Sequence, residues 1–201
     1  MKLVIASANT HKVYELRESL KICAPHIQVL SLFDFPSYTA ATENQDSFEE
    51  NAKFKALQAA EALKMICLAD DSGIVVPALA KLGATLQYRY QNDTDSPIKQ
   101  TKKLLEVMRP LKELERQAYL ECSLALASPQ GIIHCVTQRT EGYISDEEHG
   151  KTTFEFDTVF IKHDYSKTLG QLPPSVKSRI SHRRKALEKL LPAIDKCALL
   201  H

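Results

Sequence analysis

The sequence predicts an α/β or α+β domain built on a mixed sheet, and three observations carry that expectation. Short apolar runs of strand length are interleaved with stretches in which apolar residues recur at helical spacing. Two further runs, residues 118–126 and 132–140, are separated by the turn signal Pro129-Gln130-Gly131 and read as an antiparallel hairpin. The 201 residues are 44% hydrophobic and 25% charged. That is enough apolar side chain for a real core and too short a chain for tandem modules, so one domain over residues 1–201 is expected.

Residues 3–6 form the first apolar run, which stops at the polar turn Ser7-Ala8-Asn9-Thr10; Val13, Leu16, Leu20 and Cys23 then repeat at helical intervals. Residues 29–32 read as a second strand, and 34–46, rich in Pro, Ser, Thr and acids, as a loop. Ser47 with Glu50 makes a capping box, in which each side chain satisfies an orphan amide, and Ala-rich sequence carries the second helix to Lys64. The apolar run 65–69 gives way to Asp70-Asp71-Ser72-Gly73 and resumes at 74–76 before Pro77, which places two acids at a strand end.

Residues 79–97 show no clear period. From Ile98 to about Leu114 helical spacing returns, with Pro110 expected to break or kink it. Ala118, Leu120, Cys122, Leu124 and Leu126 alternate onto one face of the first hairpin strand. Residues 159–161 add a short strand, and residues 181–194 a terminal helix with Ala186, Leu187, Leu190, Leu191 and Ile194 on one stripe. In a domain of this kind a cleft between two lobes is a natural site.

Charge and composition exclude several classes. Lys and Arg number 26 against 25 Asp and Glu, so the net charge of +1 supplies no global field for a polyanion, and no stable nucleic-acid partner is expected. No apolar run approaches the ~18 residues needed to span a bilayer, so no membrane partner is expected. The five cysteines are odd in number and never form a C-x-x-C pair, which reads as reduced thiols in a cytoplasmic protein. A disulfide between Cys122 and Cys135, facing each other across the hairpin, is the alternative.

Four constellations carry chemistry. In the turn Ser7-Ala8-Asn9-Thr10-His11-Lys12, a lysine in the first helical turn is disfavoured by the macrodipole by about 0.3 kcal/mol or more, so something anionic is expected to offset it. Free amides at the helix start with Lys12 would cradle phosphate; a capped helix with a solvated lysine is the plain alternative. On the second helix Phe48, Ala52, Ala59 and Leu63 define the buried stripe, and Lys55 projects within it with Asn51 at its edge; a lysine burying only its stem is equally consistent.

The adjacent acids Asp70 and Asp71 would point to opposite faces, one toward a cleft and one holding the turn. Such a pair suits Mg²⁺, which takes one or two carboxylates plus substrate phosphate oxygens, although Asp-Asp-Ser-Gly also reads as a plain turn. Lastly, Lys177, Arg179, His182, Arg183, Arg184 and Lys185 cluster at the start of the last helix. With Ser181 as its cap, that cluster suits an anion or an acceptor-rich base, or else a solvated face.

In this order the four pieces resemble the inosine triphosphate pyrophosphatase family, hydrolases of deaminated purine nucleoside triphosphates. Ser7-Ala8-Asn9-Thr10-His11-Lys12 with Glu15 is similar to the family's opening S/T-x-N-x-x-K-x-x-E signature, and Ser47-Phe48-Glu49-Glu50-Asn51-Ala52 with Lys55-Ala56 to its second. Leu68-Ala69-Asp70-Asp71-Ser72-Gly73, Arg116-Gln117-Ala118 with Cys122, and Ile180-Ser181-His182-Arg183 with Ala186-Leu187 complete the pattern, nearly end to end.

The resemblance implies a long mixed sheet flanked by helices in two lobes, with the site in the cleft, and a homodimer. It implies that Ser7, Ala8, Asn9, Thr10, His11, Lys12, Lys55 and Ser72 bind the triphosphate of a purine nucleotide, that Glu43 and Asp71 hold Mg²⁺, and that Asp71 is the base for the attacking water. Arg183, His182, Lys177 and Asp157 would recognise the purine edge, with Phe154 and Phe156 as aromatic surface and Arg89 and Glu155 beside the substrate.

The chain departs from the family where Gly-Phe-Gly-Tyr-Asp is usual and Thr153-Phe154-Glu155-Phe156-Asp157 stands, and where Gly-Gly-x-Pro-Gly-x-x-Ser-Ala-Arg is replaced by residues 80–89, which keep only Arg89. Glu155 in place of a glycine is expected to lower activity on inosine triphosphate or to shift base preference. The competing expectations are a pyrophosphatase for a pyrimidine or other modified nucleotide, as in the related Maf-like proteins, and a non-catalytic nucleotide or nucleic-acid binder using the cluster 177–185.

Overall fold

The computed structural model describes residues 1–40, 45–79, 98–151, 154 and 156–199, and the backbone alone of 80–82, 87–89 and 97. Strand β1 (Lys2–Ile5) leads into helix α1 (Thr10–Cys23) and β2 (Gln28–Ser31). Helix α2 (Phe48–Leu63), β3 (Cys67–Val75) and β4 (Gln87–Arg89) follow. Helix α3 (Pro97–Val107) precedes the hairpin of β5 (Gln117–Ser128) and β6 (Gly131–Ile144), after which come β7 (Phe160–Lys162), α4 (Pro174–Ile180) and α5 (His182–Leu199).

The strands make a seven-stranded sheet in the order β2-β1-β3-β5-β6-β7, with β4 on β3. β1 runs parallel to β2 and β3, whereas β3–β4 and β6–β7 are antiparallel, so the sheet is mixed and the fold α/β. The chain divides into two compact units: Met1–Asp71, Cys122–Gln138 and His182–His201 form one, and Ser72–Glu121 with Arg139–Ser181 form the other.

In the first unit the period of two sorts every strand residue to one of two cores. Leu3, Ile5, Leu68, Leu124 and Leu126 pack with Leu16 and Leu20 of α1 and Leu187, Leu190 and Ile194 of α5. Their neighbours Val4, Ala6, Cys67, Ala69, Ala125 and Ala127 point the other way, onto Ala52, Ala56, Ala59 and Ala60 of α2. One face is large and branched, while the other is almost all alanine and lets α2 lie close to the sheet. Cys122 belongs to the first core and Cys135 packs against the second, and all five cysteines are free thiols.

The second unit has its own core, including Ile74, Leu104, Met108, Phe156, Phe160 and Ile180. Buried Arg116 closes the end of α3: its Nη1 donates to the carbonyls of Met108 and Leu111, and its Nε and Nη2 to those of Ile144 and Ser145. This side chain ties the segment just past α3 to the end of β6.

Several elements differ from the sequence expectation. β3 does not stop at Asp70 but runs unbroken through Val75, every residue buried. α3 ends at Val107, so Pro110 lies beyond it, and α4 was not foreseen because its start at Pro173-Pro174 resembles a loop. α5 continues to Leu199 with Pro192 inside it, since burial of Ile194 and Cys197 offsets the backbone bond that proline lacks. Among the described residues no helix is long and apolar enough to cross a membrane.

The alanine face leaves no room for a longer side chain. Ala59→Leu is therefore expected to cost about 1 to 3 kcal/mol of stability through overpacking, read as a lower urea midpoint at unchanged m-value. A midpoint equal to the parent's would show that α2 does not pack closely on Val4, Ala69 and Ala125.

Candidate active site

The first unit assembles its polar groups where β1, β3 and α5 deliver them. After β1 the chain turns through Ser7, whose Oγ accepts from the Asn9 amide at 3.2 Å. Asn9 caps α1, its Oδ1 accepting from the amides of His11 at 3.0 Å and Lys12 at 3.1 Å. These two amides were expected to be free for phosphate; the Asn9 side chain occupies them instead, as an N-cap residue does. Ala8, Thr10 and His11 are exposed, whereas Ser7, Asn9 and Lys12 are buried.

Because β3 is unbroken, its two acids obey the strand's alternation. Asp70 falls on the side of Leu68, toward α1 and α5, and Asp71 on the side of Ala69, toward α2. The expectation that one acid holds a turn is thereby corrected: both are strand residues. Asp70 is 0% exposed. Its Oδ1 lies 2.7 Å from the Lys12 Nζ and its Oδ2 3.0 Å from the Arg183 Nε, and the Cys122 thiol donates to Oδ2 at 3.1 Å. Glu15, on the next turn of α1, pairs with Arg183 Nη1.

Burial alone would push the Asp70 carboxyl up, but Lys12, Arg183 and Lys55 together outweigh it and hold the group well below the usual range. Burial and the Asp70 charge push the Cys122 thiol well up, so it stays protonated and can donate. The anion that offsets Lys12 against the α1 dipole is thus supplied by the chain itself. In the sequence Asp70 with Asp71 suits Mg²⁺ or a turn, and Glu15 and Cys122 stand as motif members; their joint engagement of Lys12 and Arg183 is what the structure adds. The signal for Asp70 was a lysine in a first helical turn that contains no acid.

Lys55 reaches its place from α2, whose cap is Ser47 Oγ accepting from the Glu50 amide at 3.1 Å. The buried stripe of α2 includes Asn51 and Ala56 in addition to Phe48, Ala52 and Ala59, while Leu63 is only half-buried. Asn51 tolerates burial because its amide bonds both backbone groups of Gln45, at 3.1 and 3.2 Å. Half-buried Lys55 places its Nζ 3.9 Å from Asp71 Oδ1. His182 and Arg183, the first residues of α5, are both buried. Burial and the positive charges of Arg183 and Lys12 hold the His182 pKa well below its usual value, against the pull of Asp70, so the ring is neutral. Its Nε2 is buried without a hydrogen-bond partner among the described residues.

The remaining expected residues, Glu43 apart, belong to the second unit. Ser72 is buried in β3, and Arg89 ends β4 in register with Gly73, its side chain lying outside the described residues. Asp157 is buried and pairs with Lys177 of α4. Phe154 is half-buried, but Phe156 packs into the apolar core instead of offering aromatic surface, because its ring meets the cluster around Leu104 and Phe160. Glu43 and Glu155 lie outside the described residues.

Neutral buried His182 gives a signed pH dependence. In the unfolded chain the imidazole takes a proton near pH 6.5, and in the folded chain it does not, so stability falls as pH drops below about 6.5. One such proton corresponds to a slope of about 1.4 kcal/mol per pH unit well below that point. His182→Gln is expected to flatten the stability profile between pH 6.5 and 5 by that amount, measured by urea denaturation. Parallel profiles for the two proteins would mean that the folded ring is protonated.

The chain has relatives among known proteins. The chain is 43% identical over 191 residues, 94% of its length and 96% of the relative's, to the dITP/XTP pyrophosphatase of Protochlamydia amoebophila. It is 40% identical over 196 residues to that of Chlamydia trachomatis serovar L2, covering 97% and 93%. A HAM1 protein from Coxiella burnetii has a similar structure, with a TM-score of 0.82 at 29% identity, covering 98% of this chain and 99% of that one. The Ham1 protein of Staphylococcus aureus gives 0.80 at 28% over the same shares. Residues 3–193 match the model of the Ham1 family, and with that match the chain belongs to it.

Proposed function

We propose that this chain hydrolyses the triphosphates of non-standard purine nucleosides, dITP, ITP and XTP, to the nucleoside monophosphate and pyrophosphate, and so clears them from the nucleotide pool. Relatives at 43% and 40% identity named as dITP/XTP pyrophosphatases support it. The observation that carries it is the separation of tasks between the acids of β3. Asp70 is engaged in neutralising Lys12 and Arg183. Asp71 faces the Lys55 ammonium at 3.9 Å, beyond hydrogen-bond length, and its carboxylate is a hard oxygen donor.

Splitting a phosphoanhydride requires positive charge at the phosphates and an aimed water, with no covalent nucleophile. In this reading Lys12 and Lys55, with Ser72 and the turn from Ser7, hold the triphosphate. Asp71 takes a proton from the attacking water, the bond between the α- and β-phosphates breaks, and pyrophosphate leaves with the electron pair. Arg183, His182, Lys177 and Asp157 read the purine edge.

Mg²⁺ is held by Asp71 and Glu43 in the same reading. The donor chemistry fits: Mg²⁺ prefers one or two carboxylates with substrate oxygens to an all-protein cage, and Asp71 supplies one such carboxylate. When bound, the ion supplies charge neutralisation at the phosphates. The two-lobed cleft and the homodimer belong to this reading and rest on the family resemblance, and the cytoplasmic location rests on the cysteine pattern. A shifted base preference is the second reading, favoured by Glu155 and by the loss of the usual glycines in 80–89.

Turnover of dITP, ITP, XTP, ATP and CTP with and without Mg²⁺ tests both. Fast, Mg²⁺-dependent release of pyrophosphate from the first three supports the proposal, a different ranking supports the second reading, and binding without turnover of any defeats both. Asp71→Asn is expected to retain nucleotide binding while kcat falls about 10²-fold or more, since an amide accepts no proton. Parental turnover in that variant would remove Asp71 from the mechanism.

A further inference from the structure

A concave site lies in the first unit whose lining includes neither Asp70 nor Asp71. It is a cavity of about 450 Å³ lined by α5, the end of the β5–β6 hairpin and Ile66. That volume is within the usual range of small-molecule pockets. Its apolar lining comes from Ile66, Ile133, Pro192, Ala193 and Cys197. Lys189, Lys196 and His134 also line it, and no acid does.

The two lysines are seven residues apart on α5, so they share one face about 10 Å from each other. Cations on this helix pair with acids where acids are in reach, as Arg184 does with Glu188 at 2.7 Å. The positions three and four residues from Lys189 are Lys185, Ala186, Pro192 and Ala193, and those preceding Lys196 are Pro192 and Ala193. Lys185 apart, apolar residues therefore stand where neutralising acids would. Ile133, opposite them on β6, is 38% exposed. An apolar floor under unneutralised cations fits a ligand with an apolar body and one negative head, because desolvating the chain and pairing the head are satisfied at once.

We infer that this cavity binds an amphipathic anion of the acyl carboxylate type, its chain on Ile66, Ile133 and Pro192 and its carboxylate between Lys189 and Lys196. The inference does not depend on the nucleotide reading. The test is calorimetric titration of the full chain with decanoate below its micellar concentration, beside 1-decanol, which lacks the charge, and acetate, which lacks the chain. Saturable one-to-one binding of decanoate is expected, at least tenfold weaker for decanol and for acetate. It should weaken tenfold or more in Lys189→Gln/Lys196→Gln and in Ile133→Asp, all surface changes that spare the two cores. Non-saturable uptake, or affinity indifferent to these variants, would overturn the assignment. So would a self-association lost in Ile133→Asp, because the face would then be covered by a second copy.

Discussion

Asp70 is a full negative charge with no access to solvent, on a sheet face it shares with Leu3, Ile5, Leu68 and Leu124. An isolated carboxylate there would cost several kcal/mol or become protonated. It remains charged because two cations come to it from elements remote in sequence, Lys12 at the start of α1 and Arg183 at the start of α5. Each needs the carboxylate in return, since a buried lysine or arginine is as costly as a buried acid. Three elements are thus fixed to one another by groups that cannot be satisfied separately. Such ion pairs add little net stability over hydrocarbon but penalise every arrangement in which they are broken.

That constraint places the neighbouring chemistry. With Asp70 committed to the α1–α5 side, the pleat turns Asp71 to the α2 side, where the alanine face brings the helix close enough for Lys55 to approach it. The alternation that sorts leucines from alanines thus also sends the two acids of β3 to opposite faces, each to its own cation. Glu15 and Cys122 complete the first set, one on Arg183 and one on Asp70.

Period-two and helical patterns made β1, α1, α2, the hairpin and the stripe of α5 legible, because there burial follows hydrophobicity residue by residue. The sequence misled where a polar residue is buried with a distant partner. Asp70-Asp71-Ser72 reads as a strand end, yet the strand continues, since the partner of Asp70 on α5 is 113 residues away. Asn51 reads as a stripe edge but is buried through its bonds to Gln45. Of the candidate site, the turn from Ser7 to Lys12, Lys55 and the basic start of α5 were visible as motifs. The role of Asp70 was not, because only the fold shows which acid meets which cation.

The claim that Asp70 ties α1 to the sheet is tested most directly by a double-mutant cycle on Asp70→Asn and Lys12→Met, with stability measured by urea denaturation at pH 7. Asp70→Asn leaves Lys12 and Arg183 without their shared carboxylate, Lys12→Met leaves Asp70 with Arg183 as its remaining ion-pair partner, and the double variant removes the Asp70–Lys12 pair outright. The double variant is expected to exceed in stability the sum of the two single losses by about 1 to 3 kcal/mol, the coupling typical of directly interacting residues. Losses that add within about 0.5 kcal/mol would show that the two groups do not depend on each other and would contradict this account of the fold.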